Sequence, residues 1–198
     1  MLKVGLTGNI GSGKSIISEV FSTLGVPVYH ADKVSRDLLL DPGIKAEVVT
    51  LFGDSILNGD NEIDRPKVAT IVFSDKEALM KLNVLLHPRV IRDFLKWSES
   101  FADQPYVIQE AAIIYESHVE GIFDKIIHVS CPDEIAIRRV VKRDGTDERL
   151  VLQRMQFQMK NKEKTGLADF VILNNGKEMV IPQVLSIHEK LKELSIQR

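Results

Sequence analysis

The residues best suited to chemistry lie near the start of the chain, in the run Gly8-Asn9-Ile10-Gly11-Ser12-Gly13-Lys14-Ser15. Gly8, Gly13, Lys14 and Ser15 match the pattern G-x-x-x-x-G-K-[ST], in which closely spaced glycines let successive backbone N–H groups converge on one anion. A helix that starts at the end of such a loop adds its positive pole. Lys14 is expected to reach the β- and γ-phosphate oxygens as a point charge, and the Ser15 hydroxyl to ligate Mg²⁺. Asn9, Ile10, Gly11, Ser12, Gly13, Lys14 and Ser15 are therefore the expected phosphate-binding residues, with ATP and Mg²⁺ as the expected ligands.

Such a loop needs a strand before it and a helix after it. Leu2-Lys3-Val4-Gly5-Leu6 is a short apolar run, and Ile16, Ile17, Val20, Phe21 and Leu24 recur at helical spacing up to Gly25. Val26-Pro27-Val28-Tyr29 reads as a second strand, with Asp32 just past its end where a new helix begins. Tyr106-Val107-Ile108, Ile126-Ile127-His128-Val129 and Phe170-Val171-Ile172-Leu173 repeat the pattern. Five strands alternating with helices predict an α/β fold with a parallel, doubly wound sheet.

No strand pattern is evident between Leu38 and Asp103. There Ala78, Leu79, Leu82, Leu85 and Leu86, then Val90, Ile91, Phe94 and Leu95, keep a helical period. Pro88 is expected to separate these into two helices, leaving His87 at their junction. From Ile135 to Lys164 nine Lys or Arg face four Asp or Glu, which predicts a basic helical lid. A last helix is expected to place Val180, Ile181, Val184, Leu185, His188 and Leu191 on one face.

The expected organisation is a single domain over 1–198, with a nucleotide-binding core of 1–36, 104–134 and 166–198, a helical substrate-binding insertion of 37–103 and a lid of 135–165. A net charge of -2 gives no basic excess for nucleic acid, and no apolar run is long enough to span a bilayer. The N-terminus enters a strand pattern without a cleavable signal, and the single cysteine, Cys131, excludes a disulfide framework. A cytoplasmic protein is expected, with no nucleic-acid, membrane or obligatory protein partner.

A phosphate loop serves kinases, GTPase switches and ATPases alike. A guanine switch would carry Asn-Lys-x-Asp; the nearest stretch, Asn161-Lys162-Glu163-Lys164, ends in lysine. A small-molecule kinase needs a base for the acceptor hydroxyl, cations around the transferring group and a lid. Asp32 and the basic segment offer these parts, although by position alone Asp32 is as well read as a helix N-cap.

The pieces Thr7 to Ser15, Val28-Tyr29-His30-Ala31-Asp32, Leu82 to Pro88, Arg139 to Arg143, Arg154 to Gln158, Ala168-Asp169 and Asn174-Asn175-Gly176 are specific in their order and spacing. In these the chain resembles the dephospho-coenzyme A kinases, a family of P-loop small-molecule kinases, over nearly its whole length. The resemblance implies a P-loop NTPase-type fold and transfer of the γ-phosphoryl group of ATP to the ribose 3′-hydroxyl of dephospho-coenzyme A. It implies Asp32 as general base beside Lys14, and His87 of the His-Pro pair on the substrate side. The competing readings are a kinase for another small acceptor, such as a nucleoside monophosphate, and a nucleotide-binding regulatory module.

Two departures stand out. The family usually reads Asp-Ala-Asp where this chain has His30-Ala31-Asp32, and Asp-x-Pro-Leu-Leu-x-Glu where it has Glu110-Ala111-Ala112-Ile113-Ile114-Tyr115-Glu116. Glu110 is expected to support Mg²⁺ or bind substrate, a solvated role being the alternative. Arg139 and Arg143, four apart, share a helix face and are expected to reach the polyphosphate together; Arg154, a substrate-side candidate, and Gln158 repeat that spacing. Asn174 or Asn175 is expected to frame the adenine, with a simple turn as the alternative. Cys131 reads as an inert buried thiol, Trp97 and Phe101 as core, and the histidines show no metal spacing.

Overall fold

The computed structural model describes residues 1–197. In chain order the elements are β1 (Leu2–Thr7), α1 (Lys14–Thr23), β2 (Val28–His30), α2 (Ala31–Leu38), α3 (Pro42–Phe52), α4 (Arg65–Val72), α5 (Lys76–Glu99), β3 (Tyr106–Glu110), β4 (Lys125–Ser130), α6 (Asp133–Asp144), α7 (Glu148–Met155), α8 (Asn161–Leu167), β5 (Phe170–Leu173) and α9 (Val180–Ile196). They form two compact units, Met1–His30 with Phe94–Arg198, and Ala31–Asp93.

The first unit holds a five-stranded sheet in the order β2-β3-β1-β4-β5. Every pairing is parallel, as the alternation of strand and helix predicts. All five residues of β3 are buried, the signature of a central strand covered on both faces. Val4, Leu6, Ile17, Phe21, Ile108, Ile127, Ile172, Val184 and Leu191 interlock in its core. The apolar face of α9 is narrower than its sequence suggests. Ile187 is buried with Val184 and Leu191, whereas Ile181 and Leu185 are exposed. Trp97 packs on Tyr29, Phe94 and Phe101, so the aromatic residues at the end of α5 stabilise this unit.

Because the strands run parallel, their carboxyl ends meet at one edge of the sheet. Leu6 of β1 is registered with Glu110 of β3, which is registered with His30 of β2. On the other side Thr7 is registered with His128. Loops leaving this edge are where an open parallel sheet gathers its ligands.

The second unit packs Ile44, Val48, Ile56, Val68, Val72, Leu82 and Leu86. Asp41 caps α3 by accepting from Gly43 and Ile44 N–H at 2.9 and 3.0 Å, with Pro42 pre-set for the first turn. An isolated antiparallel bridge, Leu57 to Ile63, stands where no strand pattern is evident in the sequence.

Pro88 does not divide this region into two helices: α5 runs unbroken from Lys76 to Glu99, and His87 lies inside it. The proline removes the N–H that Val84 O would accept from, at a turn that faces solvent, Val84 being 71% exposed. One residue on, Arg89 Nη1 donates to Leu85 O at 2.6 Å, reinforcing the weakened turn. Ala78, Leu82, Leu86, Val90 and Phe94 are all buried, and their spacing of four passes through the proline without a change of phase.

Candidate active site

The chain leaves β1 through Gly8 and enters α1 at Lys14. Between them Gly11 and Gly13 have φ of +78° and +93°, values that L side chains rarely adopt. Space is closed as well as conformation: a Cβ on Gly11 would meet Ala136 O, and one on Gly13 would meet Asn174 Nδ2. Gly13 is the N-cap of α1 and has no side chain to satisfy the first N–H groups of the helix, which leaves them available to an anion. Lys14 is 8% exposed at that terminus, and Ser15 beside it is open to solvent. Among the described residues the buried Ser12 Oγ has no hydrogen-bond partner. A curled backbone, an anchored lysine and an unpaired hydroxyl fit the phosphates of a nucleotide.

The segment that leads into α8 holds one flank of this loop. Ile10 N–H donates to Gln158 Oε1 at 2.9 Å, and Asn9 Nδ2 donates to Met159 O at 3.2 Å. Met159 N–H in turn donates to Glu116 Oε1 at 2.8 Å. That same oxygen lies 2.8 Å from Lys164 Nζ, which also donates to Ala112 O at 2.9 Å. Thr7 Oγ1 reaches Ala112 O at 3.3 Å. The segment leading into α8, the loop after β3 and the phosphate loop thus form one hydrogen-bonded network.

Lys164 has no solvent exposure. Burial pushes its ammonium below the usual lysine range, with the charge of Lys14 adding to the effect and Glu116 opposing it. Beside it, His128 Nε2 lies 2.8 Å from Asn161 Oδ1, while Asn161 Nδ2 donates to Ser130 Oγ at 3.0 Å. In the stretch from Asn161 to Lys164, where a guanine reader would stand, the half-buried Asn161 and the buried Lys164 turn inward to these polar contacts, while Lys162 and Glu163 are exposed.

The other flank is held by Asn174 and Arg139. Asn174 Nδ2 donates to Ser12 O at 2.7 Å, and Arg139 Nη2 donates to Asn174 Oδ1 at 3.2 Å. Arg139 Nη1 also reaches Cys131 Sγ at 3.5 Å. Cys131 is buried, and burial raises its thiol's pKa against the opposing charge of Arg139. Asn175 turns elsewhere: its Oδ1 accepts from Lys177 and Glu178 N–H at 2.9 and 3.1 Å, making a local turn.

The remaining candidates divide between the two units. Glu110 is 6% exposed, and its Oε2 lies 3.0 Å from His30 Nδ1. Arg143 does not accompany Arg139 but makes a two-pronged contact with Asp144 at 2.7 and 3.0 Å. Arg143, and then more weakly Arg154, hold the Asp144 carboxyl below its usual range. Arg154 is half-buried in the last turn of α7. Asp32 lies exposed in the first turn of α2, in the second unit. His87, in the same unit, is half-buried on α5, and burial lowers its imidazole pKa.

Gln158, Glu116 and Lys164 carry much of this site; Gln158 and Glu116 end segments that the family resemblance marks, whereas Lys164 lies outside them. The available signal is that Asn161 and Lys164, three apart, share a helix face with no apolar residue between them.

Among the described residues no group of three His, Cys, Asp or Glu could hold a metal ion. Mg²⁺ carried on a triphosphate keeps several waters and takes few protein ligands. The Ser15 hydroxyl is a hard oxygen donor of the right kind.

The dephospho-CoA kinase family model matches residues 2–179. The dephospho-CoA kinase of Bacteroides fragilis (strain YCH46) is 35% identical over 187 residues, covering 94% of this chain and 91% of the relative. That of Aquifex aeolicus is 37% identical over 193 residues, covering 96% and 98%. Among solved structures, TT1252 from Thermus thermophilus superposes with a TM-score of 0.82 at 32% identity, covering 96% of each chain.

Proposed function

The chain belongs to the dephospho-CoA kinase family, and on that premise we propose how its residues move the γ-phosphoryl group of ATP to the ribose 3′-hydroxyl of dephospho-CoA. The observation that carries this reading is the phosphate loop itself, with left-handed Gly11 and Gly13 leading to Lys14 anchored at the start of α1. Lys14 neutralises charge on the β- and γ-phosphate oxygens as it spreads over the transferring group. The Ser15 hydroxyl would help to hold Mg²⁺, which would add to the charge neutralisation. Arg139, already fixed by Asn174, adds a cation on the donor side.

Asp32 accepts the proton of the acceptor hydroxyl; the family segment His30-Ala31-Asp32 and its place at the start of α2 support that role. On the acceptor side we assign His87, Glu110 and Arg154. A neutral His87, favoured by its lowered pKa, offers both a donor and an acceptor to a nucleotide. We retain 37–103 as the substrate-binding insertion, 135–165 as the lid and the remaining segments as the nucleotide-binding core. The lid's closure excludes water and so suppresses wasteful ATP hydrolysis. Among the described residues no helix is long and apolar enough to cross a membrane. With its single cysteine, the chain is read as a cytoplasmic enzyme acting on a small-molecule substrate.

The test is ADP release by purified protein with Mg²⁺-ATP and a panel of acceptors. Release that depends on dephospho-CoA is the expected result. Turnover with a nucleoside monophosphate alone, or with no acceptor in the panel, would overturn it.

A further inference from the structure

We infer that Asn174 is a positioning residue for the phosphate loop, aiming the N–H of Gly13 at the bound polyphosphate. The inference rests on the phosphate-loop reading above. Asn174 follows β5, and its own N–H donates to Ser130 O at 2.8 Å, so its backbone is fixed by the sheet. Gln183 adds a second tie just before it, its side chain accepting from Leu173 N–H at 2.8 Å and donating to Leu173 O at 3.1 Å.

The side chain of Asn174 is equally constrained. Its Oδ1 accepts from Arg139 and its Nδ2 donates to Ser12 O, so the two ends of the amide cannot be exchanged without losing both bonds. Ser12 is 1% exposed, which shields its carbonyl bond from competing water. The Ser12 carbonyl and the Gly13 N–H belong to one planar trans peptide and point in opposite directions. Drawing the oxygen towards Asn174 therefore turns the N–H towards the concave side of the loop. Gly13 has φ of +93°, and its missing side chain is what lets Asn174 lie this close. With two positive-φ glycines the loop backbone has many alternative conformations in isolation, and Asn174 selects one of them.

This role differs from framing the adenine, and inorganic tripolyphosphate, which has no base, separates the two. Asn174→Asp keeps the shape and the acceptor for Arg139 but cannot donate to Ser12 O. Asn174→Ser is the second variant, for use if the aspartate prevents folding. For both, the affinities for tripolyphosphate and for ATP are expected to fall together, by about tenfold for the serine variant. The KM for dephospho-CoA should stay within about twofold, since a nearly constant acceptor KM beside weakened donor binding is not what general destabilisation produces. Loss of ATP affinity with unchanged tripolyphosphate affinity would assign Asn174 to the adenine and overturn the inference. Unchanged affinity for both would overturn it too. If the unmodified protein bound neither ligand, the phosphate-loop reading itself would fall.

Discussion

His30 Nδ1 lies 3.0 Å from Glu110 Oε2, and the two residues are register partners at the carboxyl ends of β2 and β3. Most of the pair's burial falls on Glu110, whose side chain is 8% exposed against 44% for His30. A carboxylate kept from water depends on the donors around it. His30 occupies the place where the family usually carries an aspartate, and a second carboxylate there would repel Glu110 rather than donate to it. His30→Ala is expected to destabilise the protein by about 1–2 kcal/mol. His30→Asn, whose Nδ2 can take the place of Nδ1, should recover part of that loss. Urea unfolding of the three proteins measures it, and equal midpoints would show that Glu110 does not need this donor.

A larger effect is expected at Lys164. Lys164→Met removes a fully buried ammonium from Glu116 and from Ala112 O. The stranded Glu116 carboxylate should cost about 3–5 kcal/mol. Adding Glu116→Gln should return much of this, because no buried charge is then unpaired. A double-mutant cycle on thermal or urea unfolding gives the coupling, and strict additivity would rule out a direct pairing.

Acid should weaken the fold through His128. Its imidazole is pushed below the usual histidine value, chiefly by burial and further by the charge of Lys164, against the hydrogen bond it donates to Asn161 Oδ1. Below about pH 6.5 the unfolded chain binds a proton that the folded chain resists. Stability from this group is therefore complete above pH 6.5 and declines as the pH falls towards the lowered folded value, by up to about 1.4 kcal/mol per pH unit. His87 and His188, also lowered by burial, act in the same direction. His128→Gln should have a shallower fall in Tm between pH 7.5 and 5.5 than the unmodified chain. Parallel curves would remove His128 as a source of acid sensitivity.

For the reaction itself, Asp32→Asn should lower kcat by on the order of 10²- to 10⁴-fold while ATP affinity changes little. Stopped-flow turnover and nucleotide titration together decide it. Unchanged kcat would take Asp32 out of the proton transfer.

The strands and the phosphate loop are legible in the sequence because their signals are local: apolar runs, glycines and a lysine at fixed offsets. Pro88 shows how a local signal misleads. Its effect on the helix is overridden by a spacing of four that continues from Ala78 to Phe94, which is evident only when the stripe is followed through the proline. Arg139 and Arg143 share a helical spacing, but the neighbouring Asp144 captures Arg143 while Asn174, 35 residues away, receives Arg139. Asn174 and Asn175 are identical in type and adjacent, so only the end of the β4–β5 ladder decides which of them meets the phosphate loop. Lys164 looks like one more solvated charge in a basic run, since its burial depends on Glu116, 48 positions earlier in the numbering.

Cys131 is the only cysteine in the chain, is 3% exposed and lies against the guanidinium of Arg139. Each molecule therefore has a single thiol that a labelling reagent can modify, placed beside the residue that fixes Asn174. Its modification rate becomes a built-in gauge of how often this flank opens in solution, and nucleotide that steadies the flank would slow it.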